Sequence, residues 1–124
     1  MNVVDSSAWL EYFADGPNAG YFEPAILATR DLIVPSITLY EVFKRVLKQR
    51  KEAAARDAVA VMSLGRIVDL DGEIAIAAAR FSHENRLPMA DSIVWTTARA
   101  FDAEIWTQDA DFDGLDRVRF RAKA

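Results

Sequence analysis

The stretch that decides the fold is Met1-Asn2-Val3-Val4-Asp5-Ser6-Ser7-Ala8-Trp9-Leu10, at the start of the chain. Its short β-branched run is typical of a strand, and the residues after Ser7 have the pattern of an amphipathic helix. Asp5 therefore lies where a strand ends and a helix begins. Ligands bind at this position in open α/β sheets, although an acid and two serines before a helix also form an ordinary cap. The role of Asp5 thus depends on which other acids reach the same edge.

Composition limits the classes of protein to consider. The chain has 124 residues, 52% of them hydrophobic, which predicts one domain over residues 1–124 with a compact core. It has no run apolar enough to cross a bilayer and no signal pattern, so we expect no membrane association and a cytoplasmic location. The absence of cysteine and the single His83 exclude thiolate and multi-histidine metal sites. A net charge of -4 argues against binding nucleic acid by bulk charge but allows a local basic face.

Strand and helix signals alternate along the rest of the chain. Two helices follow the first strand, and Leu32-Ile33-Val34, stopped by Pro35, predicts a second buried strand. A third helix opens at Ser36 or Thr38, with an apolar stripe that faces the sheet: Leu39, Val42, Phe43, Val46 and Leu47. The later elements are a helix over 52–64, a strand over 66–70, a helix over 74–85, a helix from near Asp91, a strand over 103–107 and an edge strand over 117–121.

Acids recur where strands end or helices begin. Glu41 follows the second strand much as Asp5 follows the first, although Thr38-x-x-Glu41 also fits a capping box. Asp91 lies at the start of a helix, and Asp109 comes just past a strand end, with Asp111 two residues later in the same acidic loop. Each acid alone has a structural explanation as a cap or loop residue. Their shared position predicts that they meet at one edge of the sheet.

Carboxylates gathered in this way need a compensating charge. At about 5 Å and an effective dielectric constant near 20, each pair repels by roughly 3 kcal/mol. An all-oxygen set suits the hard cations Mg²⁺ and Mn²⁺, which support attack of water on a phosphodiester. Basic residues lie close by along the third helix, where they form either a solvated face or a weak RNA-phosphate contact: Lys44, Arg45 and Lys48.

The chain resembles the PIN-domain ribonucleases, and within them the VapC-like toxins of bacterial type II toxin-antitoxin pairs. The resemblance spans nearly the whole chain and rests on four ordered motifs: Val3-Val4-Asp5-Ser6-Ser7, Pro35-Ser36-Ile37-Thr38-Leu39-Tyr40-Glu41-Val42, Leu87-Pro88-Met89-Ala90-Asp91-Ser92 and Thr107-Gln108-Asp109-Ala110-Asp111-Phe112. It implies a three-layer α/β/α sandwich with a central, mainly parallel sheet. It also implies a Mg²⁺- or Mn²⁺-dependent endoribonuclease, a homodimer, and inhibition by a cognate antitoxin protein.

The resemblance also implies roles for single residues. Asp5, Glu41 and Asp91 correspond to the core metal-binding acids and Asp109 to the fourth, a role that Asp111 shares or replaces. Thr107 is implied to orient a water or a carboxylate. With Asp5 turned towards the metal, we expect Ser6 and Ser7 to cap the first helix in its place.

Two other functions remain open from the sequence. A response-regulator-like signalling module is also doubly wound, but it needs an acidic pair after the first strand and a lysine after the last. Here Asp5 is followed by Ser6-Ser7, and no lysine occurs between Lys51 and Lys123. A nuclease-like domain that binds RNA or a partner without turnover is the second alternative. The aromatic residues of the first two helices are expected either in the core or at an interface: Tyr12, Phe13, Tyr21 and Phe22.

Overall fold

A five-stranded parallel sheet forms the centre of the protein in the computed structural model, which describes all of residues 1–124. The strands are β1 (Asn2–Val4), β2 (Leu32–Pro35), β3 (Arg66–Val68), β4 (Glu104–Thr107) and β5 (Val118–Phe120). They lie in the order β3-β2-β1-β4-β5, and every neighbouring pair is parallel. The mainly parallel sheet predicted from the sequence is confirmed, and β5 lies at an edge as expected.

Six α-helices cover the sheet. They are α1 (Ser6–Phe13), α2 (Ala19–Leu27), α3 (Ser36–Gln49), α4 (Glu52–Met62), α5 (Gly72–Asn85) and α6 (Met89–Ala100), and two 3-10 turns occupy Thr29–Asp31 and Ala110–Phe112. None of these helices combines the length and the hydropathy that a bilayer crossing requires.

Side chains alternate between the two faces of the sheet, so each strand contributes to two cores. Val4 and Val34 point to the face that packs against α1, α2, α3 and α4. Val3, Ile33 and Ile105 point to the opposite face, which packs against α6. Helices therefore bury both faces of the sheet, and the predicted three-layer α/β/α sandwich is confirmed.

The start of α3 differs from the capping box that the sequence allowed. The helix begins at Ser36, directly after β2, and the Thr38 hydroxyl donates a 2.7 Å hydrogen bond to the carbonyl oxygen of Pro35. Since Thr38 already lies in the first turn, the Thr38-x-x-Glu41 box does not form, and that interpretation is wrong. The Glu41 carboxylate is consequently not held at the helix end.

Other boundaries differ by a few residues. The third strand ends at Val68 rather than residue 70, where its partner β2 also ends at Pro35. At the far end of the α3 stripe, Leu47 is exposed rather than packed on the sheet. Among the aromatic residues of α1 and α2, Phe22 is fully buried in the core, and the other three are partly buried against it.

Candidate metal centre and substrate cleft

The predicted acids meet at the carboxyl edge of the sheet. Asp5 directly follows β1, and Asp109 comes two residues after β4, the strand beside it. Helices α3 and α6 add Glu41 and Asp91, and these four acids line a single cleft of about 770 Å³. Parallel strands point their carboxyl ends the same way, which explains how acids far apart in the sequence reach one place.

Asp5 is the most deeply buried of the acids, with 2% of its surface exposed. Its Oδ2 atom accepts hydrogen bonds from the Ser7 hydroxyl at 2.8 Å and from the Thr107 hydroxyl at 2.9 Å. Burial raises the pKa of the Asp5 carboxyl, and the two hydroxyls offset part of that shift. The carboxylate is thus fixed in orientation but has no neighbouring cation to balance its charge.

The start of α1 is not capped as the sequence suggested. Asp5 is the N-cap residue, and its backbone carbonyl oxygen accepts from the amides of Ala8 and Trp9, each at 3.0 Å, while its side chain makes no capping bond. The hydroxyl of Ser7 bonds Asp5 and accepts from the Gln108 amide at 3.0 Å. The expectation that Ser6 and Ser7 cap this helix is therefore wrong, because Ser7 is engaged within the cleft.

Burial and mutual repulsion act on two further acids. Loss of hydration and then the charge of Asp5 raise the pKa of Glu41, and a hydrogen bond with Ser6 opposes the shift. For Asp91, loss of hydration, followed by the charges of Asp109 and Asp5, raises the pKa to about 8. Such shifts are typical of functional sites in which like charges are held close together.

A compact trio of acids lies at one end of the cleft. Asp91, Asp109 and Asp111 each offer a carboxylate oxygen, and these oxygens lie within 4.8 Å of one another. The backbone amide of Asp111 donates a 2.9 Å hydrogen bond to Oδ1 of Asp109, and Asp111 itself is exposed and does not line the cleft. Asp109 therefore lies within the cleft, and Asp111 lies at the margin of the cleft.

The donor set fits a hard divalent cation. None of the acids of the cleft or of the trio forms an ion pair with a lysine or arginine, since the ion pairs of the protein all lie elsewhere. Repelling carboxylates without a compensating side chain are the environment in which an oxygen-ligated cation is most stabilising. The residues present therefore suit Mg²⁺ or Mn²⁺, as the sequence predicts.

Basic residues also line the cleft, although only one of the three predicted is among them. Arg45 lines the cleft, and Lys44 and Lys48 do not. The Lys44 ammonium instead lies 5.5 Å from the centre of the Tyr40 ring. Arg50 and Lys123 also line the cleft, and neither is a predicted site residue. Arg50 directly follows α3, at the end of the basic run of that helix, whereas no sequence signal around Lys123 indicates that the end of the chain returns to the cleft.

A family model described as PIN domain matches residues 3–118 of the chain. The chain belongs to the PIN-domain family. No curated protein sequence matches this PIN domain. The family match gives no support to the response-regulator-like alternative.

Solved structures similar to this PIN domain include toxins. A toxin-antitoxin complex from Klebsiella pneumoniae contains a chain with 22% identity and a TM-score of 0.82, and the match covers 100% of both chains. VapC20 of Mycobacterium tuberculosis, a toxin that cleaves the sarcin-ricin loop, has 16% identity and a TM-score of 0.79 over 95% of this chain and 97% of that one. FitAcB from Neisseria gonorrhoeae has 20% identity and a TM-score of 0.74, covering 98% and 97%. At these identities the likeness is one of fold, and the predicted resemblance to VapC-like PIN domains is confirmed at the level of family and fold.

Proposed function

We propose that this PIN domain, over residues 1–124, is a metal-dependent endoribonuclease and the toxin of a toxin-antitoxin pair. The observation that carries the proposal is the convergence of Asp5, Glu41, Asp91 and Asp109 on one cleft with no cationic side chain paired to them. Membership of the PIN family and the fold shared with known toxins support the same function.

The four acids of the cleft would hold Mg²⁺ or Mn²⁺, with Asp111 at the margin. Such a cation lowers the pKa of a bound water and neutralises charge on the phosphoryl group under attack. Asp5 is pre-oriented for this role because Thr107 and Ser7 fix its carboxylate, and Ser6 lowers the pKa of Glu41.

RNA would enter along the side of the cleft that Arg45 lines. This guanidinium can bind a phosphate of the strand while the acids act at the scissile bond, since phosphate contacts set the register of a nucleic acid on its protein. Lys44 and Lys48 lie on the same helix outside the cleft and would contact more distant phosphates. Net charge of -4 makes such local contacts necessary, because the protein as a whole repels RNA.

A cognate antitoxin protein and a second copy of this chain are the proposed partners. Support comes from structures with the same fold that are complexes of toxin and antitoxin, including VapBC2 from Rickettsia felis bound to a promoter DNA fragment, which has 15% identity and a TM-score of 0.74. Co-expression with the product of an adjacent small open reading frame tests the first partner, and the mass of the purified protein in solution tests the second.

Induced expression and RNA cleavage by the purified protein test the nuclease. We expect growth arrest, cleavage that requires Mg²⁺ or Mn²⁺, and loss of both in Asp5→Asn and Asp91→Asn. Asp116→Asn is the matched control, because Asp116 is exposed and precedes β5, at the opposite edge of the sheet. Undiminished cleavage by Asp5→Asn or in EDTA would contradict the mechanism. RNA binding without cleavage by the wild type would favour the alternative of a catalytically silent binding domain.

A further inference from the structure

A second, smaller hollow adjoins the acidic cleft. It measures about 410 Å³ and shares four residues with the cleft: Ser7, Gln108, Asp109 and Lys123. Its remaining lining consists of Ala110, Phe120 and Ala122. Lys123 and Gln108 therefore lie on the boundary between the two hollows, where a single strand of RNA leaving the acids would pass.

Gln108 offers a hydrogen-bond donor that the protein does not use. The residue is 7% exposed, its Oε1 atom accepts from Asn18 Nδ2 at 2.7 Å, and its backbone amide donates to Ser7. These bonds fix the side chain, yet Nε2 donates to no protein atom at this boundary. The Nε2 amide of Gln108 is therefore free to donate to an acceptor that a ligand brings to this boundary.

The chain end is held against the same boundary. Asn18, which is 6% exposed, donates a second hydrogen bond from Nδ2 to the carbonyl oxygen of Ala122 at 2.9 Å. One residue earlier, the Arg121 amide donates to the carbonyl oxygen of Thr107 at 2.9 Å. Lys123 follows these two anchors directly and forms no ion pair, so its ammonium group is available to an anion at the mouth of the cleft.

We propose that Lys123, Gln108 and Phe120 form a subsite for the nucleotide beside the cleaved bond of single-stranded RNA. Lys123 binds the flanking phosphate, Gln108 Nε2 donates to an oxygen of the sugar or base, and Phe120 offers its partly exposed ring to the base. A base reaches such a hollow only when it is unstacked, which favours single strands over duplex RNA. Asn18 acts as a positioning residue. The inference rests on the proposed ribonuclease function and extends it to how the substrate is held.

Binding of a short single-stranded RNA in EDTA tests the phosphate contact without turnover. We expect Lys123→Gln to weaken binding roughly fivefold and to reduce the slope of log Kd against log salt by about 0.7, the contribution of one phosphate contact in a single strand. Lys123→Arg should retain the wild-type slope. Arg80→Gln removes an exposed charge on α5, away from both hollows, and should change neither quantity.

A second variant separates the base contact from the charge. Phe120→Leu keeps an apolar side chain but removes the aromatic face, and we expect affinity for single-stranded RNA to fall about threefold or more with no change for duplex RNA. In cleavage assays both variants should raise KM and leave kcat nearly unchanged. Wild-type affinity and slope in Lys123→Gln would overturn the subsite. If the wild type itself neither binds nor cleaves RNA, the proposed function fails instead.

Discussion

The Thr107 hydroxyl donates a 2.9 Å hydrogen bond to Oδ2 of Asp5, and its oxygen accepts a 2.9 Å bond from the backbone amide of Asp109. The register of the sheet explains the contact. Val4 pairs with Trp106 across the parallel strands β1 and β4. Asp5 and Thr107, the residues that follow this pair, therefore lie side by side at the carboxyl edge. A single buried hydroxyl thus aligns two acids of the candidate metal centre.

Removing this hydroxyl should reduce cleavage without unfolding the protein. Thr107→Val keeps the shape and β-branching of the side chain but loses both hydrogen bonds, and groups that orient metal ligands typically affect activity by about 10- to 100-fold. Thr107→Ser should restore most of the activity, because it retains the hydroxyl. Thr96→Val, on α6 outside the cleft, is the matched control. Equal RNA cleavage rates in Thr107→Val and Thr96→Val would rule out the orienting role.

The metal-free protein should lose stability as the pH rises. The pKa of Asp91 is raised from 3.8 to about 8, and burial raises those of Asp5 and Glu41 as well. Across that window the folded state binds more protons than the unfolded state, so the free energy of unfolding decreases with increasing pH. Asp91 is only half-buried, and solvent screening reduces the effect. We expect the Tm in EDTA to fall by about 4 °C or more between pH 5 and pH 8.

Asp91→Asn isolates this contribution to the pH dependence. The variant has no carboxyl to deprotonate, so its Tm should fall less steeply than that of the wild type and should exceed it at pH 8. Thermal unfolding in EDTA across the pH range, with Asp116→Asn as the control, measures the difference. Parallel curves for wild type and Asp91→Asn would show that Asp91 ionises normally in the folded protein.

A divalent cation should reverse the loss of stability at pH 8. Binding to the folded state alone, at a concentration about 100 times the Kd, stabilises a protein by about 2.7 kcal/mol. We expect Mn²⁺ or Mg²⁺ to raise the Tm of the wild type and of Asp116→Asn, and to have much less effect on Asp91→Asn and Asp109→Asn. EDTA should abolish the increase. The same increase in all four proteins would place the bound cation outside the acidic cleft.

The stability of the fold should depend on residues at the centre of the sheet. Ile33 is fully buried in β2, and Ile33→Ala is expected to reduce the free energy of unfolding by about 2–5 kcal/mol, from lost apolar burial and the cavity left behind. Ile76 is 65% exposed on α5, and Ile76→Ala should change stability by less than about 0.5 kcal/mol. Chemical denaturation measures both, and similar values would contradict this placement of the core.

Local patterns in the sequence determined the order of the elements and the acids of the site. Apolar β-branched runs predicted β1 and β2 because buried strands need such residues on both faces. The predicted acids follow a strand end, as Asp5 and Asp109 do, or lie in the early turns of a helix, as Glu41 and Asp91 do. Several of the errors lie at helix starts. Capping roles assigned to Thr38, Ser6 and Ser7 were wrong, because a hydroxyl near a helix start has several partners within reach and the sequence does not show which one is closest.

Only the tertiary structure decided which residues contact one another at the site. Thr107 meets Asp5 only through the register of two parallel strands, and Asp111 joins Asp91 only through the path of a loop. Lys123 reaches the cleft because a buried asparagine, Asn18, holds the end of the chain. The sequence by itself fixes which groups are present and which strand end or helix start carries them, since these follow from local periodicity. Distances, burial and the resulting pKa shifts depend on contacts between residues far apart in the chain, and no local pattern encodes them.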